Sequence, residues 1–406
     1  MIRACLFGTY TSTHPANRLL AHALTAAGCE LSVCHEPLWE RTRDKMASFF
    51  GVRSLARLGV SYAAAAARLA RHWRQLPPPD LVVTGFNGQL DVLLARALAG
   101  RKARLVFAPL VTLTETLVDD RRVYRRGGVK ARLASMLDLR TLRAADLVLL
   151  DTEAHRAYVA DHVDRRCRTA TLYLGAERIF SPGPEPSRAA GEPLHVLFYG
   201  QYVPLHGAQT IVEAAALLGP RSGLEFVMIG TGPERAAAQA LAEARGCTHV
   251  RFEDWVPYEL LPQLLRESDV ALGIFGTTAK AKFVIPTKVY QAAATGRPVV
   301  TGETPAIREV FTPGTHLLTV PRGDPGALAG ALRRLRDDPE GRRALGGAAA
   351  RLLAEDLDYP AQGARLRTVL TAAFPELAGR FDVVPTAEQR RCSLGLTRMD
   401  PRAEEP

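Results

Sequence analysis

Residues 180–200 read FSPGPEPSRAAGEPLHVLFYG, and this stretch divides the chain in two. Residues 180–193 are dense in proline and glycine and offer little that a hydrophobic core could bury, which is typical of a linker. The LHVLFYG that follows is a short apolar run ending in glycine, which is typical of a buried strand. Because 406 residues exceed what one core usually serves, the sequence predicts two domains joined at this point.

Short apolar runs alternate with alanine-rich helical segments on both sides of the linker. Before it, the predicted strands are IRACLFG, CELSVCH, DLVVTG, ARLVFAP, DLVLLD and RTATLYL. After it, they are LHVLFYG, LEFVMIG, THVRFEDW, DVALGIFG, RPVVTG and HLLTVP. Strands that alternate with helices indicate parallel α/β architecture. The predicted fold is therefore two doubly wound, parallel-sheet (Rossmann-like) domains that face each other across a cleft.

The predicted domains are residues 1–180 and 194–355, with the linker at 181–193. Residues 356–377 keep a helical pattern and are predicted to pack back on the first domain, whereas 378–406 are predicted to be a loose tail. No stretch approaches the roughly 20 apolar residues of a membrane helix, and MIRACLFGTY lacks the layout of a signal peptide. We therefore expect a cytoplasmic protein.

The net charge of +10 is compatible with an anionic partner. The arginines are spread along the whole chain without interleaved aromatic residues, which disfavours nucleic acid. The densest basic region, 121–146, fits either a solvated helix face or a peripheral contact with acidic lipid headgroups. The six cysteines show no C-x-x-C spacing, which disfavours a zinc site and a disulfide framework.

The loops after the predicted strands carry the candidate site, because ligands of open parallel sheets bind beyond the carboxyl ends of the strands. In FGTYTSTHPANR (7–18), Gly8 closes the first strand where backbone amides can approach an anion. Arg18 lies in the first turn of the next helix, whose amino end favours negative charge. A simple strand-to-helix turn is the alternative interpretation.

Two ligand motifs are missing from these loops. GTGPER (230–235) is not a dinucleotide fingerprint, because Arg235 stands where G-x-G-x-x-G has its third glycine. No D-x-D sequence follows a strand, since the D-x-D at 356–358 lies in a late helical segment. We therefore expect neither a cofactor nor an obligatory divalent metal.

Lysine is rare in this chain, yet three of its six lysines (Lys280, Lys282 and Lys288) fall within nine residues of KAKFVIPTKVYQAAATGRPVV (280–300). Thr287 is predicted to cap a short helix that ends before Gly296, which places Lys288 and Gln291 on one face near its amino terminus. Lysine suits a phosphate as a compact point charge. We expect an exposed Lys288; lysines on a mobile surface loop are the alternative.

These loops, taken in order, resemble those of the retaining GT-B glycosyltransferases, in the large family 4 group that includes sucrose-phosphate synthases and many bacterial polysaccharide enzymes. The motifs in the second half are VLFYGQYVPLHGAQTIVEAAALL (196–218), FVMIGTGPE (226–234), FEDWVPYELLPQLLRESDVAL (252–272) and IPTKVYQAAATGRPVVTGETPAIREVF (285–311). In the first half, FGTYTSTHPANR and APLVTLTETLVDD (108–120) fit one bacterial subgroup more loosely.

The resemblance implies a nucleoside diphosphate sugar between the domains and glycosyl transfer to an acceptor with retention. Implied catalytic residues are Lys288, Lys282 and Glu115, and implied acceptor contacts are Asp151 and Thr112. Implied donor contacts are Gly8, Thr9, Arg18, Gly200, Gln201, His206, Gly230, Gly232, Val256 and Gln291.

The chain departs from the family pattern at four positions. Gln201 and His206 stand where most members carry arginine and lysine, and Phe283 and Gln291 stand where they carry two glutamates. The lysines at 282 and 288, with Arg18, are expected to fill the charge deficit. His206 is expected to titrate near neutrality as a phosphate ligand; a histidine that only shapes the loop is the alternative. A nucleotide-sugar epimerase or hydrolase of the same fold, or a degenerate non-catalytic nucleotide-binding module, is the alternative function.

Overall fold

The computed structural model describes residues 1–39, 52–189 and 191–381. Two six-stranded parallel sheets, each covered by helices, form the cores of two α/β domains, which confirms the predicted fold class. Every strand predicted from an apolar run is present, because such a run flanked by helices can be buried on both faces only in a parallel sheet.

The first sheet has the order β2-β1-β3-β4-β5-β6. Its strands are β1 (Ile2–Gly8), β2 (Cys29–His35), β3 (Leu81–Thr84), β4 (Arg104–Phe107), β5 (Leu147–Leu150) and β6 (Thr169–Thr171). Its helices are α1 (Pro15–Ala26), α2 (Val52–Trp73), α3 (Gln89–Ala99), α4 (Val129–Ala144) and α5 (Glu153–His162). The strand order reverses between β1 and β3, which opens a crevice at the carboxyl ends of these strands.

The second sheet has the order β12-β11-β10-β7-β8-β9 and reverses between β7 and β10. Its strands are β7 (Leu194–Tyr199), β8 (Leu224–Ile229), β9 (Val250–Glu253), β10 (Val270–Leu272), β11 (Val299–Gly302) and β12 (Leu318–Val320). The helices after the linker are α6 (Ala208–Leu218), α7 (Arg235–Ala244), α8 (Leu261–Glu267), α9 (Thr287–Ala294), α10 (Pro305–Val310), α11 (Pro325–Asp337), α12 (Pro339–Asp356) and α13 (Tyr359–Ala373).

The last α-helix, α13, packs against α1 of the first domain. Leu366 and Leu370 of α13 are buried in the same apolar cluster as Leu24 of α1. Gly363 permits this approach, because a Cβ there would lie 2.5 Å from the backbone carbonyl carbon of Ala26. After completing the second sheet, the chain therefore returns to the first.

The described end of the chain is ordered further than the sequence predicts. Residues 378–381, predicted as part of a loose tail, belong to or follow a helical turn at Pro375–Arg380. Phe381 is buried in the first core, and Arg380 donates a hydrogen bond to Asp80. These two anchors make the prediction wrong for this part; the rest of the predicted tail lies outside the described residues.

We expect Leu366→Ala to lower the free energy of unfolding by about 2–5 kcal/mol, because it opens a cavity between α1 and α13. Leu366 is fully buried. Urea titration followed by circular dichroism measures the effect. Thr368→Ala, on the exposed side of the same helix, is the matched control and should change stability little. Equal losses in both variants would contradict the packing of α13 described above.

Candidate functional site

The loops that leave the carboxyl ends of the two sheets meet in one cleft. Lys280, after β10, donates a hydrogen bond of 3.3 Å to Thr116, after β4. Arg121 Nη2, also after β4, lies 3.3 Å from Gln201 Oε1, after β7. The cleft therefore joins the β7/β10 crevice of the second sheet to loops of the first.

Lys288 lies in the first turn of α9, at the β7/β10 crevice. The helix begins at Thr287 and its N-cap is Pro286, so the predicted threonine cap is wrong: Pro286 supplies the extended residue before the helix, and Thr287 is already helical. Gly296 ends the helix with φ +76°, as predicted. This start aims the Lys288 side chain inward, beneath the loop at Gly200.

The Lys288 ammonium is buried, contrary to the expectation of an exposed lysine. Its Nζ lies 4.2 Å from the centre of the Phe198 ring and has no hydrogen-bond partner among the described residues. Burial lowers the pKa of this ammonium well below its usual range. A buried amine without an acceptor is costly, so the unpaired Lys288 Nζ needs an explanation beyond the packing of the domain.

His206 is the second buried nitrogen donor at this place. A Cβ on Gly200 would lie 2.6 Å from both His206 Cε1 and Lys288 Nζ, so only glycine leaves room above the two groups. His206 Nδ1 also lacks a hydrogen-bond partner within the described part of the chain. Burial, and then the nearby Lys288 charge, lower the pKa of His206 well below its usual range, so titration near neutrality is not expected in the ligand-free protein.

Gly230 and Gly232 press the loop after β8 onto the loop after β7. A Cβ at Gly230 would lie 2.0 Å from the carbonyl oxygen of Gly200, and one at Gly232 would lie 1.6 Å from that of Gln201. Both glycines also have positive φ angles, of 121° and 150°. Their immediate role is thus to let two backbones approach beside the Lys288 site.

On the other side of the cleft, His155 lies between two carboxylates. Its Nδ1 is 2.7 Å from Asp151 Oδ1, and its Nε2 is 3.0 Å from Glu115 Oε1. All three side chains are buried. Burial alone would lower the pKa of His155, but Glu115 and Asp151 outweigh it and raise the pKa to about 10. The imidazole is therefore a permanent cation at neutral pH.

Glu115 and Thr112 hold each other in the turn that follows β4. The Thr112 amide donates a 2.9 Å hydrogen bond to Glu115 Oε2, and the Glu115 amide donates one of 3.2 Å to Thr112 Oγ1. Burial raises the pKa of Glu115, yet His155 more than compensates and the net pKa is lowered. Glu115 is therefore an ionised carboxylate fixed by His155 rather than a mobile acid.

Phe283 brings the second half of the chain onto this cation. Its ring stacks on the His155 ring at 5.2 Å and on the Tyr158 ring at 4.5 Å between centres. Its carbonyl oxygen accepts a hydrogen bond from Thr152 Oγ1. Glu309, also in the second half of the chain, caps the amino terminus of α5. Its carboxylate accepts hydrogen bonds of 2.6 and 2.7 Å from the first two backbone amides of that helix.

Gln291 belongs to a chain of hydrogen bonds. Its Oε1 accepts from Tyr199 at 2.7 Å, and its Nε2 donates to Tyr258 at 2.8 Å. The Tyr258 hydroxyl then donates to Glu177, which also lies 3.5 Å from Arg18 Nε. Arg18, predicted as a donor contact, is thus engaged by Glu177 and by the face of Tyr258.

Gly8 and Thr9 lie against a carboxyl group of the protein itself, that of Asp91. The Thr9 amide donates a 2.7 Å hydrogen bond to Asp91 Oδ2, and a Cβ at Gly8 would lie 2.4 Å from the same atom. Burial raises the pKa of Asp91 to about 7, although the bonds from Thr9 oppose it. The amide expected to approach a ligand therefore serves the first domain's own structure.

Two of the remaining predicted site residues, Lys282 and Val256, lie outside the group of buried side chains described above. Lys282 is exposed, whereas Lys280, which the prediction left out of the site, is buried in the cleft. Val256 is half-buried against the second core, beside the exposed Trp255. Among the described residues, no group of three or more His, Cys, Asp or Glu side chains is arranged to hold a metal ion.

Sequence reasoning missed His155, the residue that joins Glu115 to Asp151. The signal was present, because Asp151 and His155 lie four apart across the start of a helix, where such side chains meet. It also missed the burial of Lys280, since a three-residue helical turn at Lys280–Lys282 carries no periodicity from which one face could be assigned.

Comparison with protein families places residues 193–338 in "Glycosyl transferases group 1". A 2-deoxystreptamine N-acetyl-D-glucosaminyltransferase of Streptomyces fradiae is 26% identical over 91% of this chain and 82% of its own length. An alpha-D-kanosaminyltransferase of Streptomyces kanamyceticus is 28% identical over 42% of this chain. The chain spans only 44% of the length of that second relative.

Solved structures share the fold at low sequence identity. Sucrose-phosphate synthase from Thermosynechococcus elongatus superposes with a TM-score of 0.69 at 17% identity, over 93% of this chain and all of its own. Anabaena HepE, solved in complex with UDP-glucose, gives a TM-score of 0.65 at 14% identity, over 92% of this chain and all of its own. These neighbours establish the two-domain arrangement of the GT-B glycosyltransferases.

We expect His155→Gln to lower the free energy of unfolding by about 3–5 kcal/mol at pH 7, because two buried carboxylates lose their cation. The raised pKa of about 10 means that the wild-type cation stabilises fully below about pH 6.5 and is lost as pH rises toward 10. The difference in free energy of unfolding between the wild type and His155→Gln should therefore become smaller from pH 7 to 9.5. Urea titrations at each pH measure it.

His162→Gln is the control for this measurement, because His162 is exposed at the end of the same helix. It should leave both the stability and its pH dependence close to those of the wild type. A His155→Gln protein as stable as the wild type at pH 7 would contradict the charged triad.

Proposed function

We propose that this chain, whose residues 193–338 are a group 1 glycosyltransferase domain, moves a glycosyl group from a nucleoside diphosphate sugar to a small-molecule, saccharide or lipid-linked acceptor, with retention of anomeric configuration. One observation carries the proposal. Lys288 Nζ and His206 Nδ1 are buried together at the β7/β10 crevice, and both lack a hydrogen-bond partner within the described residues.

A diphosphate satisfies both groups at once. Its oxygens supply the acceptors that the two nitrogens lack, and its charge returns the buried Lys288 to its ammonium form. The cost of keeping Lys288 buried in the ligand-free protein is then recovered when the donor binds. A neutral ligand offers no such gain, which is why the site favours an anionic group over an uncharged sugar.

In the proposed reaction, the bond between the anomeric carbon and the diphosphate oxygen breaks as the acceptor approaches on the same face. Negative charge grows on the diphosphate, and the departing phosphate oxygen takes the acceptor's proton. Lys288 stabilises this charge from a fixed position, a type of contact that contributes about 3 kcal/mol where it has been measured. The mechanism needs no protein nucleophile.

The first domain supplies the opposite wall. Lys280 reaches from the second domain to Thr116, and its pKa is lowered mainly by burial. Glu115 and Asp151 are fixed in position by their contacts with His155, so they can orient sugar or acceptor hydroxyls. Asp151 also lines a cavity with Asn17 and Leu110, which supports an acceptor contact on that side.

We expect uridine, guanosine or thymidine diphosphate to raise the melting temperature in the presence of a chelator, because the cations at the crevice belong to the protein. Lys288→Met should raise the melting temperature of the ligand-free protein by removing an unpaired buried amine, and should abolish the nucleotide-induced shift. Differential scanning fluorimetry measures both. Lys102→Met, at an exposed lysine, should reproduce the wild-type response.

A nucleotide shift that disappears in chelator would refute metal-independent binding. If the nucleotide raised the melting temperature of Lys288→Met as much as that of the wild type, Lys288 would not be part of the diphosphate site. The ligand-free melting temperature of each variant shows whether it is folded, so loss of nucleotide binding can be distinguished from loss of the fold.

The reaction itself is tested with a panel of nucleoside diphosphate sugars and polyhydroxylated acceptors. Cyclitols come first, because relatives are named for transfer to 2-deoxystreptamine and to D-inositol 3-phosphate. We expect an α-linked donor to give an α-linked product by nuclear magnetic resonance. A β-linked product would refute retention, and nucleotide release that is equal with and without acceptor would identify a hydrolase.

A further inference from the structure

Helices α2, α3 and α4 cover one face of the first sheet, with α3 packed between the other two. Their sequences contain two acidic residues, Asp91 and Asp138, and both side chains are buried. The outward surface of these three helices therefore carries no negative side chain. Arginines, by contrast, are frequent on it, and Lys130 adds one lysine.

The outer side of α4 combines apolar and cationic residues in one line. Val129, Leu133 and Met136 are 73%, 53% and 41% exposed. Their spacing of four and three residues places them on one stripe, which Arg140 and Arg143 continue. Lys130 and Arg132 flank this stripe on either side, and both are exposed. The opposite side of α4 faces the protein core.

Exposed large apolar side chains are concentrated on this face. Nine such side chains occur among the described residues, and five of them lie on these three helices. The other two are Val60 of α2 and Leu93 of α3. Val60 lies on a stripe of α2 that ends at the exposed Arg71. The same mixture of apolar and cationic groups thus recurs on neighbouring helices.

Several cations on this face are free to meet an external anion. Arg57 and Arg71 of α2, and Arg132 and Arg140 of α4, form no ion pair within the part of the chain that the structure describes. Arg68 and Arg143 are paired, with Glu36 and Asp164 respectively. Unpaired positive charge therefore lies on α4 itself, beside its apolar stripe, and also on α2.

We propose that the outer face of α2, α3 and α4 docks on a lipid bilayer that contains anionic headgroups. An interfacial helix needs apolar side chains that enter the acyl boundary and cations that meet headgroup phosphates, and α4 supplies both. Nucleic acid would match the arginines but offers no apolar partner for Val129, Leu133 and Met136. Among the described residues, no helix is long and apolar enough to cross a bilayer, so the contact is peripheral.

The inner side of α4 connects this surface to the cleft. Asp138 accepts hydrogen bonds from the Leu113 and Thr114 amides at 2.9 and 2.8 Å, and from Thr114 Oγ1 at 2.7 Å. These bonds fix the turn that begins at Glu115. Because α4 connects two parallel strands, it runs antiparallel to them, and its apolar amino-terminal half lies at the cleft end of the sheet. A docked α4 would thus hold the cleft close to the bilayer.

Vesicle co-sedimentation of the full chain tests the proposal. Vesicles of phosphatidylcholine with about a third phosphatidylglycerol should bind the wild type at least tenfold more tightly than pure phosphatidylcholine, and high salt should weaken this binding. Leu133→Ser with Met136→Ser should weaken binding to the anionic vesicles about tenfold. Arg132→Glu with Arg140→Glu should weaken it by at least as much.

The matched control is Leu217→Ser with Arg334→Glu, which removes an exposed leucine and an exposed arginine from the second domain. This variant should bind anionic vesicles as the wild type does. The proposal is overturned if the control loses as much binding as the α4 variants, or if the α4 variants bind like the wild type. It is also overturned if the wild type binds no vesicles. Light scattering that shows self-association through α4, together with no vesicle binding, would identify α4 as a contact between copies of the chain instead.

Circular dichroism and thermal melting establish that each variant is folded. All the substituted side chains are exposed, so their melting temperatures should stay within a few degrees of the wild type. The test needs no sugar donor or acceptor. Its result is therefore independent of the proposed glycosyl transfer.

Discussion

Two basic nitrogen groups, those of His155 and Lys288, are buried on opposite sides of the cleft in opposite electrostatic environments. His155 is surrounded by Glu115 and Asp151, so it stays charged at all neutral pH values. Lys288 has an aromatic face and no acceptor among the described residues, so burial lowers its pKa. The first arrangement is complete without a ligand and stabilises the fold. The second has an unpaired nitrogen, and the proposed diphosphate would supply the acceptor that it lacks.

One of the contacts between the two domains is made on the His155 cation. Phe283 stacks on it from the second domain, and its carbonyl oxygen accepts from Thr152 at the start of α5. In the family pattern that the sequence resembles, most members carry a glutamate where this chain has Phe283. A third carboxylate beside Glu115 and Asp151 would leave the cluster with excess negative charge, whereas an aromatic face is favourable against a cationic ring. The replacement by Phe283 is therefore consistent with the rest of the cluster.

The fold was predictable because most strands are short apolar runs that alternate with helical segments, a pattern that can be recognised without knowledge of tertiary contacts. The region around Lys288 was predictable for the same reason, since Gly296 and Pro298 bound a short helix. Burial was not predictable. Lys288 and Lys282 look alike in the sequence, yet one lies beneath Gly200 and the other is exposed, because their environments come from β7 and α9 rather than from local spacing.

The roles of Thr9 and Gln291 show the same limit. Each was assigned by its place after a strand or in a motif, and each meets a partner that is distant in sequence, Asp91 in one case and two tyrosines in the other. Long-range hydrogen bonds of this kind carry no periodic signal. Sequence position locates the loop correctly but leaves open whether its polar groups face a ligand or the protein.

The presence of lysine at two buried positions of an arginine-rich chain is consistent with how the two residues tolerate burial. Arginine stays protonated under all ordinary conditions, so a buried guanidinium needs a permanent partner. Lysine can lower its pKa and rest as a neutral amine when no anion is present. A site that must be buried both with and without its ligand therefore favours lysine at the innermost position. Lys280 and Lys288 occupy such positions, while arginines cover the surface and form ion pairs there.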